Sequence, residues 1–296
     1  MTNPPQGRPL VSADTSTIHD LGYRNYSGPR LGRGHALRAL YLHSLRGAFG
    51  IGRGGKAKIL PFAILAIMCA PAVISVAVVS QTGTDGIRYD AYPFLLQLPI
   101  VIFLAAQASE MLSRDLRFRV LSLYFSRPAA RDDYATAKLA AMTTALLVLM
   151  GLPLLILYLG TVFSADKGLG NVWDETTALA PALANVAVHA LVIGAIGLAV
   201  AAFSKRRAYA TGAVVALFLI TNTLSGFASI ASGTIQKYSG LIAPFNLLDG
   251  FKQWVLHGKP AGADVGSAGP YYAVVTVAVL AIAVAVLIAR YRKVAA

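Results

Sequence analysis

Six apolar stretches separated by short polar segments dominate the chain. They cover residues 60–80, 92–112, 139–159, 179–203, 211–232 and 271–288. Each approaches the roughly 20 apolar residues that a helix needs to cross about 30 Å of hydrocarbon. A helix suits that environment because lipid offers no partner for backbone groups, which the helix pairs internally. The pattern predicts an all-α membrane protein with six transmembrane helices.

The composition agrees with this prediction. Hydrophobic residues make up 56% of the 296 residues and charged residues only 13%, a balance typical of proteins that sit in lipid. Glu110 is the only acidic residue within the six stretches. The single cysteine, Cys69, cannot form an intrachain disulfide or a multi-thiolate metal site.

Lysine and arginine are distributed unevenly between the stretches. The N-terminal tail, residues 113–138, residues 204–208 and the C-terminal tail hold 21 of them, and the other loops hold 5. Because positive loops stay on the cytoplasmic side, both termini are expected in the cytoplasm and the protein in the plasma membrane. The first thirty residues lack an apolar core, so we expect no cleaved signal peptide. The positive charges lie between apolar runs, a placement that does not favour nucleic acid as a partner.

The pattern divides the chain into four parts. We expect a flexible cytoplasmic tail at 1–30, an amphipathic helix with a hinge at 31–58, a six-span domain at 59–290 and a cytoplasmic C-terminus at 291–296. Apolar residues recur at helical spacing within residues 36–49, namely at Leu37, Leu40, Tyr41, Leu45 and Phe49. This helix either lies on the cytoplasmic membrane surface or packs on the protein's own spans, and both arrangements produce the same pattern.

The segment between the fifth and sixth stretches is too long for a simple turn. We expect Asn246 to cap a short external helix at 247–257. Its apolar face would consist of Leu247, Leu248, Phe251, Trp254 and Val255. The tryptophan is typical of a membrane interface.

Gly50, Gly55 and Lys56 reproduce most of the phosphate-binding pattern GxxxxGK[ST]. Ala57 stands where that pattern needs Ser or Thr for magnesium, and an apolar span follows instead of a soluble helix. We therefore interpret these residues as a basic hinge and expect the chain to carry no ATPase domain of its own.

The segment between the second and third stretches contains a further signal. Pro128 should end one helix, and Arg131, Asp132 and Asp133 should begin the next, since carboxylates are favourable at a helix N-terminus. Two helices separated by a break would form a compact projection on the cytoplasmic side, with apolar and charged faces. Such a projection is suited to docking onto a partner. The alternative is a solvated loop whose basic residues serve only topology.

This segment and the order of the spans resemble the membrane subunits of ABC transporters of the type-2 exporter class. The positions that carry the resemblance are Leu121, Leu123, Tyr124, Ser126, Arg127, Pro128, Arg131 and Tyr134. The tail is also similar to permeases of actinobacterial type, through Tyr23, Tyr26, Gly28, Arg30, Leu31, Gly32 and Arg33. The resemblance covers nearly the whole chain.

The resemblance implies two kinds of protein partner, besides membrane lipid. One is a separately encoded ATP-binding subunit that holds Mg-ATP, with no cofactor in this chain. It would be gripped by the N-terminal helix and by Glu110, Asp115, Arg117, Arg119, Leu121, Leu123, Tyr124, Arg127 and Arg131. The other is a second permease, identical or related, with a pathway lined by the second and fifth spans. The polar residues of those spans are Gln97, Gln107, Thr221, Asn222, Thr223 and Ser225, and such residues also serve simply to join helices.

These observations predict the permease subunit of an ATP-driven exporter of an amphipathic, lipid-like or drug-like compound. A proton- or ion-coupled secondary transporter is the first alternative, although it would need carboxylates within the spans. A membrane scaffold without transport is another, and an intramembrane enzyme lacks its usual motifs. His189 and Asn185 form a polar pair four residues apart, which we interpret as a hydrogen-bonded interior histidine.

Overall fold

The computed structural model describes residues 28, 31–84, 86–118, 130–164, 168–231 and 233–294. In these ranges the chain is helical, with no strand. The helices belong to one compact unit, Gly32–Ala296, distinct from the unit Met1–Leu31. The predicted all-α class is confirmed.

Ten α-helices occur in the described ranges. They are α1 (Arg33–Ala48), α2 (Lys56–Thr82), α3 (Tyr92–Leu95), α4 (Gln97–Arg117), α5 (Arg131–Ser164), α6 (Gly168–Ala201), α7 (Arg207–Ile230), α8 (Thr234–Tyr238), α9 (Pro244–Val255) and α10 (Gly269–Val294). Short 3-10 turns cover Tyr89–Ala91, Ser239–Leu241 and Gly266–Ala268.

Five of these helices, α2, α5, α6, α7 and α10, are long and apolar enough to cross a membrane. A sixth span results if the bent pair Tyr89–Leu95 and Gln97–Arg117 is one broken span. The predicted number of spans therefore depends on this bent pair.

The second stretch is not the continuous helix that its composition predicts. Its two parts meet at Leu96 with a bend of 61°. Pro99 lacks the N–H group that would bond the carbonyl of Leu95, four residues earlier, so the first part ends there. The first turn of α4 resumes with the amide of Ile100 donating to the Leu96 carbonyl at 3.3 Å.

The spans pack around α6, the most buried of the five long ones. It contacts α4, α5, α7, α9 and α10. Helices α2 and α7 are the least buried and expose large apolar side chains such as Ile74 and Phe227. The structure thus leaves two spans with faces open to lipid or to another chain.

Helix α1 packs on the protein's own spans. It contacts α5 and α4, and Leu37, Tyr41 and Leu45 pack against the main core. The Tyr41 hydroxyl also donates to Thr144 Oγ1 at 3.1 Å. Of the two arrangements that its sequence pattern allows, the structure has the intramolecular one.

The turn between α1 and α2 requires glycine at Gly50. Its φ angle is 68°, and a Cβ at this position would lie 2.5 Å from the carbonyl oxygen of Ala57. The turn leads directly into the long apolar helix α2.

The external helix begins earlier than predicted. It runs over Pro244–Val255, with Ala243 at its N-cap and no capping side chain. Asn246 is not a cap, since its amide donates to Ser225 Oγ at 2.8 Å. The proline at the first helical position starts the helix, because its fixed φ angle is already helical.

Candidate functional site

Three elements meet at the carboxylate of Glu110, near the end of α4. Arg53, from the turn before α2, donates to Glu110 Oε1 at 2.7 Å. Arg207, the first residue of α7, lies 3.0 Å from Oε2, and Arg114 lies 3.5 Å from Oε1. The glutamate side chain is only 14% exposed. The ends of the first, second and fifth predicted spans are thus joined by one side chain.

Asp115 is held within the chain by α5. The Tyr134 hydroxyl donates to its carboxylate at 2.7 Å, and Lys138 Nζ lies 2.9 Å away. Lys138 is buried and also donates to the carbonyl of Met111 at 3.1 Å. A buried charge is tolerated when it is paired and hydrogen-bonded, so this cluster fastens α5 to the end of α4.

The first turn of α5 joins both ends of the helical unit. Arg33 of α1 makes two hydrogen bonds to Asp133, at 2.6 and 2.7 Å, and this bonding raises the pKa of the arginine. Arg292 of α10 pairs with Asp132, and Arg131 donates to the carbonyl of Arg292 at 3.0 Å. The helix begins at Arg131, as the sequence predicts.

A cavity of about 710 Å³ opens beside these clusters, between α1, the turn after it, α4 and α5. Glu110 and Asp115 lie in its wall, together with His43, Ser44, Arg46, Gly47, Ile51, Gly52, Arg53, Met111, Arg114, Phe118 and Lys138. Both predicted coupling carboxylates therefore border one cavity with α1, the helix that the resemblance also implies at the coupling surface, and the structure adds the basic turn to it.

The other predicted coupling residues are not all brought to this cavity. Arg117 lines separate cavities with Arg207, and Arg131 lies at the start of α5. Arg119, Leu121, Leu123, Tyr124 and Arg127 lie outside the described residues.

The predicted pathway residues divide into two groups. Gln107 and Ser225 are buried inside the chain, and Ser225 donates to the carbonyl of Ser239 at 2.9 Å. Asn222 and Thr223 are exposed on α7. The remaining two are half-buried: Gln97 at the start of α4, and Thr221, which donates to the carbonyl of Leu217 in its own helix.

His189 is an interior residue of α6. It is 2% exposed, its Nδ1 lies 2.9 Å from the carbonyl oxygen of Asn185, and its ring lies 6.3 Å from that of Phe245. Among the described residues, no three His, Cys, Asp or Glu side chains are grouped so that they could hold a metal ion.

A buried ion cluster holds α9 against the rest of the chain. Lys252 Nζ lies 2.7 Å from Asp249 Oδ1 and 3.3 Å from Asp90 Oδ2, and both α9 residues are nearly inaccessible. Arg88 also bonds Asp90, which raises the pKa of that arginine.

The same carboxylate holds the segment that follows α9. Asp249 accepts the backbone N–H groups of Ala261 and Gly262 at 3.0–3.3 Å. Gln253 donates to the carbonyl of Ala263 and accepts the amide of Val265. The sequence pattern did not predict this cluster, because its only local trace is an acid and a base three residues apart, away from the apolar face of the predicted helix.

Two comparisons with known proteins bear on this structure. A search of curated proteins finds no match. The family model described as "ABC-2 family transporter protein" matches residues 55–295, a range that covers all the long spans. The chain therefore belongs to the ABC-2 transporter family.

Proposed function

We propose that this multi-pass membrane permease is the transport subunit of an ATP-driven exporter. Membership of the family implies association with an ABC ATP-binding subunit. Mg-ATP would be bound and hydrolysed in that separate subunit. The cargo would be an amphipathic compound, lipid-like or drug-like, which leaves the cytoplasm.

The observation that carries the proposal is the convergence on Glu110. The arginines that bond it precede α2, lie in α4 and begin α7. A partner seated in the adjacent cavity would contact α1 and the end of α4 together. Its movement would reach three spans at once, because packed helices move as rigid elements and do not deform continuously.

The exposed face of α7 supports a second permease chain as partner. Asn222 and Thr223 are exposed among large apolar side chains such as Leu219 and Leu224. An amide in hydrocarbon is unfavourable unless it is paired or wet. We propose that this face turns toward a pathway between two copies, where those polar groups meet water, cargo or the other chain.

The proposed cargo class follows from the chemistry of that face. Large apolar side chains favour an apolar body, and a few hydroxyl and amide groups can bond a polar end. Among the described residues of α7, the first turn holds no acidic side chain. This arrangement favours an amphipathic cargo over a strongly cationic one.

The test is co-purification with neighbouring gene products in mild detergent, followed by an ATPase assay. We expect an ATP-binding subunit to co-purify with the wild-type chain and to dissociate from a Glu110→Arg, Tyr124→Ala double variant. Glu175→Gln is the control, since this carboxylate bonds Tyr89 in a different cavity, and it should leave the complex intact.

Two results would count against the proposal. A chain that purifies alone, without ATPase activity, would place a proton-linked transporter first. An ATP-binding subunit that stays bound to the double variant would move the coupling surface away from Glu110.

A further inference from the structure

A second cavity of about 710 Å³ lies near the junction of α6 and α7, which we call the basic groove. It is lined by Leu116, Arg117, Lys205, Arg206, Arg207 and Ala208. Four of these six residues carry a permanent positive charge, and none carries a negative charge. The groove lies at the ends of apolar helices, on the side that the charge distribution assigns to the cytoplasm.

Three of the four cations form no ion pair with an acidic side chain in the part of the chain that the structure describes. Arg207 pairs with Glu110, but this carboxylate is already shared with Arg53 and Arg114. Within the described ranges, no carboxylate lies within 4 Å of the side-chain nitrogens of the other three, which are Arg117, Lys205 and Arg206. Their charges are available to an external anion.

Retention of this loop in the cytoplasm does not by itself require positive charges from two separate elements in one cavity. Positive charge retains a loop in the cytoplasm wherever it stands in the loop, and Lys205, Arg206 and Arg207 would suffice. Arg117, however, comes from the end of α4 and reaches the same cavity through tertiary packing. The groove thus concentrates charges from two separate elements, which raises their mutual repulsion unless an anion lies between them.

Exposed aromatic rings border the groove. Phe118 and Tyr209 are each exposed by more than 60%. Arg117 lies 5.8 Å from the ring centre of Phe118, and Arg206 lies 5.8 Å from that of Tyr209. Aromatic rings beside basic residues are typical of the headgroup level of a membrane.

The N-terminus of α7 adds a weaker positive potential to the groove. Its N-cap, Arg206, has an extended backbone and no side chain caps the helix. The positive end of the helix dipole therefore points toward the groove, and the first turn of α7 itself contains no acidic residue.

We propose that the basic groove binds the phosphate headgroup of an anionic phospholipid from the adjacent leaflet. The phosphate accepts hydrogen bonds from Arg117, Lys205 and Arg206, and the acyl chains extend from the groove into that leaflet. Basic pockets between spans on the cytoplasmic side suit such headgroups. This binding does not depend on ATP or on the proposed export function.

The test measures lipid binding by the purified full chain in detergent, with native mass spectrometry. Phosphatidylglycerol and phosphatidylcholine are titrated separately. We expect tighter binding of the anionic lipid by the wild-type chain. A basic residue near an anionic surface strengthens binding about fivefold, so a triple variant, Arg117→Gln, Lys205→Gln, Arg206→Gln, should bind phosphatidylglycerol roughly 100-fold more weakly.

A matched triple variant controls for overall charge. Arg38→Gln, Lys56→Gln, Lys58→Gln also removes three exposed positive charges from the same predicted side of the membrane, and should change binding less than fivefold. If the first triple variant fails to fold, the single variants Lys205→Gln and Arg206→Gln, at exposed positions, should each weaken binding about fivefold.

Four results would overturn the proposal. These are equal binding of the two lipids, wild-type affinity in the groove variants, an equal loss in the control variant, or full competition by millimolar inorganic phosphate with no added contribution from the acyl chains. Release of the ATP-binding subunit by the groove variant, with lipid binding unchanged, would instead identify the groove as a protein interface.

Discussion

Lys252 provides the sharpest prediction about stability. Its ammonium group lies between Asp249 and Asp90 and the residue is 1% exposed. Lys252→Met keeps most of the length and the apolar character of the side-chain stem but removes the charge. The two carboxylates would then stay in place without the cation between them.

The expected loss of stability can be worked out from the remaining bonds. Breaking a buried ion pair by removing one partner costs about 3–5 kcal/mol. Asp249 would keep backbone donors from Ala261 and Gly262, and Asp90 would keep Arg88. We therefore expect the low end, about 3 kcal/mol, or a decrease in Tm of roughly 6–12 °C at about 2–4 °C per kcal/mol.

The assay is thermal unfolding of the purified chain in one detergent, monitored by tryptophan fluorescence. Lys259→Met is the matched control, because Lys259 is exposed and its side chain makes no ion pair with a described residue. Adding Asp249→Asn to Lys252→Met should recover part of the loss, since the amide oxygen still accepts a backbone N–H group. Equal Tm values for Lys252→Met and Lys259→Met would refute a structural role for the cluster.

Two further predictions concern helix packing and orientation. Gly197→Ala should destabilise the chain by about 1–3 kcal/mol, because the new Cβ would lie 2.6 Å from a leucine methyl of α4. The control Gly212→Ala has open space around its Cβ position and should cause no loss of stability. Equal unfolding temperatures for the two variants would contradict the packing. The orientation can be tested in a Cys69→Ser background with a membrane-impermeant maleimide added to intact cells. This reagent should label a cysteine introduced by Lys259→Cys and should not label one introduced by Lys205→Cys. The reverse pattern would show that the orientation is opposite to the predicted one.

The charged clusters illustrate what local reading of a sequence misses. Glu110 was conspicuous in the sequence because it was the only acidic residue in the six apolar stretches. Arg53 and Arg207 entered only the count of positive charges that predicts the orientation in the membrane. Their common bond to Glu110 joins residues 57 positions or more apart. Side-chain periodicity contains no information about such pairs, since it describes one helix at a time.

The bent second span and the external helix show the same limit. A proline such as Pro99 is compatible with a gentle kink or with a full break, but the break at Leu96 and its 61° angle depend on how α3 packs against its neighbours. Asn246 had the residue type of an N-cap, yet its amide bonds Ser225 of another helix. Residue type states what a side chain can bond, and the fold determines which partner it meets.

The sequence by itself determined the membrane character, the order of the long apolar helices along the chain and the helix start at Arg131. These follow from hydrocarbon thickness and from backbone groups that only a helix can pair in lipid. Only the tertiary structure decided that α1 packs on α5, that Lys252 is buried between two carboxylates, and that Arg117 joins the basic groove. Those outcomes depend on contacts between distant segments, whose geometry exists only after the helices have packed.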